Sequence, residues 1–232
     1  MTVLETAPLP QDVVKLGADG INHLWREKKL RAVGIKRAQP LVEAAQNSIG
    51  LDGGVCARME MQMLLEDYRV KEVQLEKATA VLEAETLKIP YTEKLLSIKG
   101  VGLITVAGFL SEVGDIRRFD SPKQIQKLAG LELKENSSGK HRGRTSISKR
   151  GRKRLRKILF QVMLPMIQNN AEFREVYEYF TTRQKNSLKG KQAIIAAGCK
   201  LIRVFYTILK HGVDYDPQKL RMDIIRPESA AA

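Results

Sequence analysis

A run of 33 residues, from 55 to 87, contains neither glycine nor proline, and no other feature limits the folds open to this chain as strongly. Met, Leu, Glu, Lys and Gln are frequent in the run, and all five favour the helical backbone. The run therefore predicts one long helix. Elsewhere no segment alternates apolar and polar residues in the way that predicts a strand. We predict an all-α fold, a helical bundle that contains this long helix.

A seven-residue repeat runs along the long helix. Apolar residues occupy its a and d positions at Met61, Leu64, Tyr68, Leu75, Ala78 and Leu82. Lys71 and Glu85 interrupt the d positions. The repeat is typical of a coiled-coil-like helix, so we expect a homo-oligomer formed through residues 55–89. Packing of the helix against its own domain explains the same pattern equally well.

Shorter helices fill most of the remaining chain. Apolar residues at helical spacing predict them over 11–16, 20–29, 36–48, 91–96, 103–113, 122–128, 158–169, 172–183 and 191–210. Gly212 follows the last of them and suits its C-terminal cap. We divide the chain into an N-terminal helical segment (1–54), the long helix (55–89), a compact domain (90–215) and a tail (216–232).

Residues 137–157, SSGKHRGRTSISKRGRKRLRK, carry ten Lys and Arg and no acidic residue. They account for much of the formal net charge of +14. Cations at this density repel one another unless phosphates neutralise them, and counterion release then supplies binding energy. The run predicts a nucleic-acid partner. A solvated basic surface is the alternative, and the continuation of the run into an apolar helix disfavours it.

A Gly-x-Gly step, Gly100-Val101-Gly102, separates two of the predicted helices. Glycines allow a sharp turn and leave backbone N–H groups bare where the next helix begins, and the helix dipole favours a phosphate there. The pattern resembles the helix-hairpin-helix motif of DNA-binding proteins. An ordinary corner between two helices explains the glycines as well.

The predicted DNA-binding residues come from this turn and from the basic run. They are Lys99, Gly100, Gly102, Lys140, His141, Arg142, Arg144, Ser148, Lys149, Arg150, Arg152, Lys153, Arg154 and Arg156. Ser148 also suits the N-cap of a helix that begins near Lys149. Glu112, Asp115 and Asp120 cluster in sequence, but two of them lie at predicted helix ends, so caps and solvated charges are the preferred interpretation.

Two segments in order, LLSIKGVGLITVAGFLSEVGDIRRFDSPKQIQKLAGL and NSSGKHRGRTSISKRGRKRLRKILFQ, resemble the C-terminal transposase domain, of the family 20 type, in the insertion-sequence 110/116/902 family. The resemblance covers about residues 88–185. It implies an enzyme that recombines DNA, in which a serine of this domain forms a covalent link to a DNA strand end. It also implies a structured guide RNA that selects the sites.

The resemblance places the nucleophile at Ser138, with Ser137 as the second choice. Considered without the family, Asn-Ser-Ser-Gly is a turn sequence that needs no catalytic role. The arginines nearby suit the charge that develops on a phosphate, and His141 is a candidate proton acceptor. A histidine in a basic loop is more often a phosphate contact or solvated.

The same family carries an N-terminal RuvC-like nuclease domain whose four carboxylates bind magnesium. No segment of this chain matches that domain, so we expect no metal or cofactor here, and magnesium only in the absent domain. Two functions stay open: the C-terminal part of a DNA recombinase, inactive alone, or a non-catalytic nucleic-acid-binding module derived from a truncated transposase. A scaffold that only dimerises leaves the basic run unexplained.

Location follows from composition. No stretch reaches the ~18 apolar residues that span a bilayer, and the first eleven residues lack the features of a signal peptide. We expect a prokaryotic cytoplasmic protein associated with the nucleoid, without membrane contact. Cys56 and Cys199 are far apart in sequence and are expected to be reduced thiols.

Overall fold

The computed structural model of this chain describes residues 1–50, 53–134, 137–138, 141–142 and 145–222. The chain divides into two compact units, Met1–Thr79 and Ala80–Ala232, and the boundary lies within the long helix. Almost all secondary structure in the described part is helical. The predicted all-α class is confirmed.

The first unit consists of three helices and most of a fourth. These are α1 (Thr2–Thr6), α2 (Pro10–Glu27), α3 (Ile35–Gln46) and the greater part of α4 (Gly54–Leu87). Ile21, Trp25 and Ala38 are buried where α2 packs on α3. This small core holds the turn between the two helices in a fixed position.

Helix α4 is the predicted long helix, with 34 residues. Arg58 on α4 donates hydrogen bonds of 2.5 and 2.7 Å to the carboxylate of Asp12 on α2. These bonds lower the pKa of Asp12 below its ordinary value. The side chains of Tyr68 and Leu75 in the predicted repeat are 48% and 68% exposed, so the chain itself leaves them uncovered.

The second unit contains seven further α-helices and four very short strands in the described part. The helices are α5 (Thr92–Leu96), α6 (Leu103–Val113), α7 (Pro122–Leu128), α8 (Lys153–Asn169), α9 (Ala171–Thr182), α10 (Gly190–His211) and α11 (Pro217–Met222). The strands are β1 (Leu133–Lys134), β2 (Ser137–Ser138), β3 (His141–Arg142) and β4 (Ser146–Ile147). A 3-10 turn, Ile116–Arg118, follows α6, and Asp115 caps it by accepting a hydrogen bond from the backbone N–H of Arg117.

Helices α6, α8, α9 and α10 enclose the core of this unit. Phe109 on α6 meets Phe205 on α10 edge to face, with ring centroids 5.0 Å apart. By length and composition, helix α10 could cross a membrane, although no stretch of the sequence consists of ~18 apolar residues. Half of its most apolar window is buried within the protein, as expected of a helix in the core of a folded domain. Gly212, with φ +65°, forms its C-terminal cap as predicted.

The two cysteines are free thiols. Cys56 is exposed on α4, whereas Cys199 on α10 is largely covered. Burial raises the pKa of the Cys199 thiol to about 11, so this thiol stays protonated and unreactive at neutral pH.

The turn between α5 and α6 is fixed by contacts with α8 and α9. Gly100 has φ +95°, and a Cβ on it would lie 3.1 Å from the Cα of Met166 on α8. The buried side chain of Asn170 donates to the carbonyl of Lys99 at 3.1 Å and accepts from the N–H of Phe173. Asn170 therefore caps α9 and holds the turn at the same time.

Replacement of Asn170 by alanine removes both hydrogen bonds and leaves the N–H of the buried Phe173 without its acceptor. We expect Asn170→Ala to lower the free energy of unfolding by about 2 kcal/mol in equilibrium urea denaturation. The matched control is Asn169→Ala, at the exposed neighbouring position, where we expect a change within about 0.5 kcal/mol. Equal effects of the two changes would contradict the dual role of Asn170.

Candidate nucleic-acid interface

The serine segment contains two short antiparallel strand pairs, formed by β1 to β4, and we call these four strands the serine arm. Its base pairs β1 with β4, with Leu133 opposite Ile147. Farther along, β2 pairs with β3, with Ser137 opposite Arg142 and Ser138 opposite His141. The sequence predicted a turn without strands here, because strands of two residues are too short to show an alternating pattern.

The backbone ladder brings together residues that the sequence singled out. Ser138, the predicted nucleophile, is the register partner of His141, the candidate proton acceptor. Ser137 has the same relation to Arg142. Lys140 and Arg144 lie outside the described residues, so their predicted DNA contacts stay predictions.

Two backbone segments cross at the base of the serine arm, and we call this contact the glycine crossing (residues 128–130 against 149–151). The N–H of Arg152, next in the chain, donates to the carbonyl of Leu128 at 2.7 Å, and the N–H of Lys149 donates to that of Gly130 at 3.0 Å. Gly151 has φ +149°, and a Cβ there would lie 2.3 Å from the oxygen of Leu128. Only glycine allows the segments to approach so closely.

Helix α8 begins later in the sequence than predicted, because residues 149–151 belong to the glycine crossing. Helix α8 begins at Lys153, with Arg152 as an N-cap residue whose side chain caps nothing. The predicted N-cap role of Ser148 is therefore wrong. The backbone N–H of Ser148 donates instead to the carbonyl of Glu132 at 2.7 Å, because the strand pairing of the arm continues through this residue.

Some of the arginines predicted to bind phosphate make hydrogen bonds or ion pairs with other residues of the protein. Arg152 donates to the carbonyl of Glu112 on α6 at 2.6 Å, and Arg154 lies 3.8 Å from the carboxylate of Glu112. Arg156 donates to the carbonyl of Ala129, within the glycine crossing, at 2.9 Å. Arg152 and Arg156 therefore support the local structure, whatever else they bind.

Sequence reasoning missed the role of Glu112. It was assigned to a helix end or a solvated charge, but its side chain is only 15% exposed and lies between two arginines of the basic run. The missing signal is a tertiary one, because about forty residues separate the partners in sequence.

The remaining cations at the start of α8 face solvent. Lys149, Arg150, Lys153 and Lys157 are exposed, and in the described part of the chain none of them makes an ion pair. The first turn of α8 carries no acidic residue. Basic side chains beside the positive end of a helix are electrostatically unfavourable, so an anion bound here would stabilise the protein.

The glycines of the α5–α6 turn lie at the other end of α8. Gly100 contacts Met166, which is thirteen residues from Lys153 and hence about 20 Å along the helix. Gly100 is explained by this packing alone. Gly102 is exposed, has extended φ (−107°), and a Cβ on it would meet nothing within 4 Å. Gly102 is also the N-cap residue of α6, where glycine is a common residue, so its phosphate contact stays a prediction. Lys99, three residues earlier, is exposed.

A groove of about 1010 Å³ lies between the base of the serine arm and helices α7, α9 and α10. Leu133, Ile147 and Phe180 contribute apolar surface, and Lys149 and Arg183 contribute positive charge. In the described part of the chain no three His, Cys, Asp or Glu side chains lie close enough to hold a metal ion. The described residues therefore do not fit a magnesium site.

The order of these elements can be compared with known proteins. Residues 92–178, from α5 through most of α9, match the family described as transposase IS116/IS110/IS902 family. A transposase for insertion sequence element IS1111A from Coxiella burnetii is 31% identical over 88 residues, which are 37% of this chain and 24% of that protein. We refer to residues 92–178, the segment that is similar to this family, as the transposase-family domain.

Other relatives extend beyond this transposase-family domain. The IS900 uncharacterized 42 kDa protein of Mycobacterium paratuberculosis is 25% identical over 210 residues, covering 90% of this chain and 52% of that protein. The pilin gene-inverting protein of Moraxella lacunata is 29% identical over 133 residues, covering 56% of this chain and 41% of that protein. The chain thus spans about half the length of the relative that it matches over most of its own length.

The glycine crossing of the transposase-family domain can be tested by one substitution. Gly151→Ala places a Cβ against the carbonyl of Leu128 and forces a backbone angle that alanine avoids. We expect it to lower the free energy of unfolding by about 2 kcal/mol or more, measured by urea denaturation. Gly102→Ser, at an open position where serine can serve as N-cap, is the control and should leave stability within about 0.5 kcal/mol. A Gly151 variant as stable as the control would contradict the crossing.

Proposed function

We propose that this chain is the DNA-binding, serine-bearing part of an insertion-sequence recombinase that carries out DNA transposition. The observation that supports this most directly is the start of α8. There, exposed cations surround an uncapped helix N-terminus, and backbone hydrogen bonds join this site to the serine arm. The arrangement lies within the segment that matches a transposase family. A relative named for pilin gene inversion favours strand exchange as the reaction.

In the proposed reaction the hydroxyl of Ser138 attacks a DNA phosphodiester. A bond from phosphorus to the serine oxygen forms, the bond to one deoxyribose oxygen breaks, and the departing oxygen takes up a proton. A serine hydroxyl needs help to lose its proton, and His141, its register partner, is the proposed acceptor. The cations of the run, including Lys149 and Lys153, would neutralise the phosphate during attack.

Further components are proposed on the resemblance. A RuvC-like nuclease domain with magnesium would act together with this chain, and a structured guide RNA would select the DNA sites. We also propose that the exposed apolar residues of α4, among them Tyr68 and Leu75, pair with a second copy of the chain. The alternative function, a non-catalytic nucleic-acid-binding module, predicts DNA binding without any covalent product.

Salt dependence tests the proposed DNA contact of α8. Arg152 and Arg156 are unsuitable targets because each donates a hydrogen bond to a backbone carbonyl of the fold. We therefore choose Lys149→Gly combined with Lys153→Ala. Lys149 has φ +54°, which glycine adopts without strain, and Lys153 opposes the dipole of α8, so the variant should fold at least as well as the parent.

We expect this variant to bind duplex DNA more weakly, with the slope of log affinity against log salt concentration shallower by about two. The control is Lys185→Ala with Lys191→Ala, two exposed lysines of the same unit whose loss removes the same charge. Fluorescence anisotropy across a salt series measures both. An unchanged slope in the α8 variant, or an equal change in the control, would remove α8 from the interface.

Covalent chemistry tests the serine arm. With the nuclease domain and guide RNA supplied, Ser138→Ala should abolish the covalent protein–DNA adduct and strand exchange, because the attacking oxygen is gone while the cations that bind DNA remain. Adducts are detected by denaturing gel electrophoresis with labelled DNA. Ser137→Ala is the matched control and should retain the adduct. The reverse result moves the nucleophile by one residue, and normal recombination by both variants would refute the serine mechanism.

A further inference from the structure

The first unit contains a second concentration of positive charge, outside the transposase-family domain. Residues 1–79 hold eleven Lys and Arg and eleven Asp and Glu, so the unit has no net charge. Six of the eleven cations nevertheless lie between residues 26 and 37, where Glu27 is the one acidic residue. We call these six the α2–α3 patch: Arg26, Lys28, Lys29, Arg31, Lys36 and Arg37.

All six side chains of the α2–α3 patch belong to exposed residues. In the described part of the chain none of them makes an ion pair, whereas Arg58 and Arg69 of the same unit do, with Asp12 and Glu5. Lys28 is close enough to Glu5 to lower the pKa of that carboxyl slightly, but Arg69 holds Glu5. Asp12 and Glu5 therefore pair with Arg58 and Arg69 and not with the cations of the patch.

The backbone of the patch is fixed at an energetic cost. Helix α2 ends with the N–H of Leu30 bonded to the carbonyl of Trp25 at 3.0 Å and that of Lys29 bonded to Arg26 at 2.9 Å. This helix ending places Lys29 at φ +53°, in the left-handed region where glycine is the usual residue. Glycine at position 29 would avoid the backbone strain of this left-handed conformation, whereas the lysine found there adds a positive charge. Such a departure points to function at the residue.

The N-terminus of helix α3 also lies within the α2–α3 patch. Helix α3 begins at Ile35 with no acidic residue in its first turn, and its N-cap, Gly34, supplies no side chain. The helix dipole therefore adds positive potential beside Lys36 and Arg37. Ala38 and Trp25 are buried where α2 packs on α3, so the two helices that flank the patch are held together.

We propose that the α2–α3 patch of the first unit binds the phosphate backbone of double-stranded DNA. Six exposed cations with a single acidic residue among them match a polyanion, and cations contact phosphates without reading sequence. Residues 26–37 contain no aromatic side chain, and Trp25 is only 8% exposed, so the surface lacks the stacking groups that single strands require. The inference extends the proposed function to new residues and stands on its own observations.

The test uses the full chain and three changes in the patch: Lys28→Ala, Lys29→Gly and Arg31→Ala. The glycine removes a charge and relieves strain, so the thermal midpoint should be at least that of the parent. The control, Lys15→Ala, Lys71→Ala and Lys77→Ala, removes three exposed lysines of the same unit outside the patch. Affinity for a DNA duplex of random sequence is measured by anisotropy across a salt series. We expect the log-log slope of the patch variant to become shallower by about three, and that of the control to stay unchanged.

Other outcomes separate this inference from the proposed function. A parent-like slope in the patch variant, together with a loss in the Lys149→Gly, Lys153→Ala variant, overturns the patch and leaves the α8 interface standing. A loss confined to the patch variant supports the patch and contradicts the α8 interface. If the patch variant loses affinity for an RNA duplex but not for the DNA duplex, the assignment to DNA is wrong.

Discussion

The glycine crossing is the contact on which the candidate site depends. Hydrogen bonds of 2.7 and 3.0 Å join the two backbone segments directly, and the side chain of Arg156 also donates to the carbonyl of Ala129. Any other residue at position 151 would place its Cβ against the carbonyl of Leu128, so the two segments can approach this closely only with glycine there. The crossing joins the base of the serine arm to the first turn of α8. The proposed nucleophile on the arm and the proposed phosphate-binding cations on the helix then share one frame, which positioned catalysis requires.

Two clusters of exposed cations stand out in this protein. At the start of α8, and at the start of α3 in the α2–α3 patch, exposed cations lie beside a helix N-terminus whose first turn carries no acidic residue. Glu112 is the exception, since it lies between Arg152 and Arg154 and fixes the arginines nearest to the crossing. Neutralisation by phosphates would relieve repulsion at both surfaces, so the electrostatic strain of the free protein favours binding.

Patterns within short stretches of sequence predicted the helices, because helix formation depends mainly on residues close together in the chain. The absence of glycine and proline predicted α4, helical spacing predicted α6 and α10, and the order of motifs indicated the family. Tertiary contacts decided the rest. Ser148 has the chemistry of an N-cap, but strand pairing takes its backbone and α8 starts five residues later. Gly100 and Gly102 look alike in sequence, yet one packs against Met166 and the other faces open space. Arg156 is one cation among ten in the run, and only the fold shows that it supports a turn.

Native-state hydrogen exchange of the backbone amides of Lys149 and Arg152 tests the central claim most directly, because these two N–H groups form the crossing. Amides that open only when the domain unfolds exchange with the free energy of global unfolding, whereas those in independent loops exchange with almost no protection. The account predicts that both amides exchange at the global rate, together with core amides of α8. Exchange as fast as that of an unprotected peptide would show that the serine arm moves independently of the basic helix, and would contradict the account.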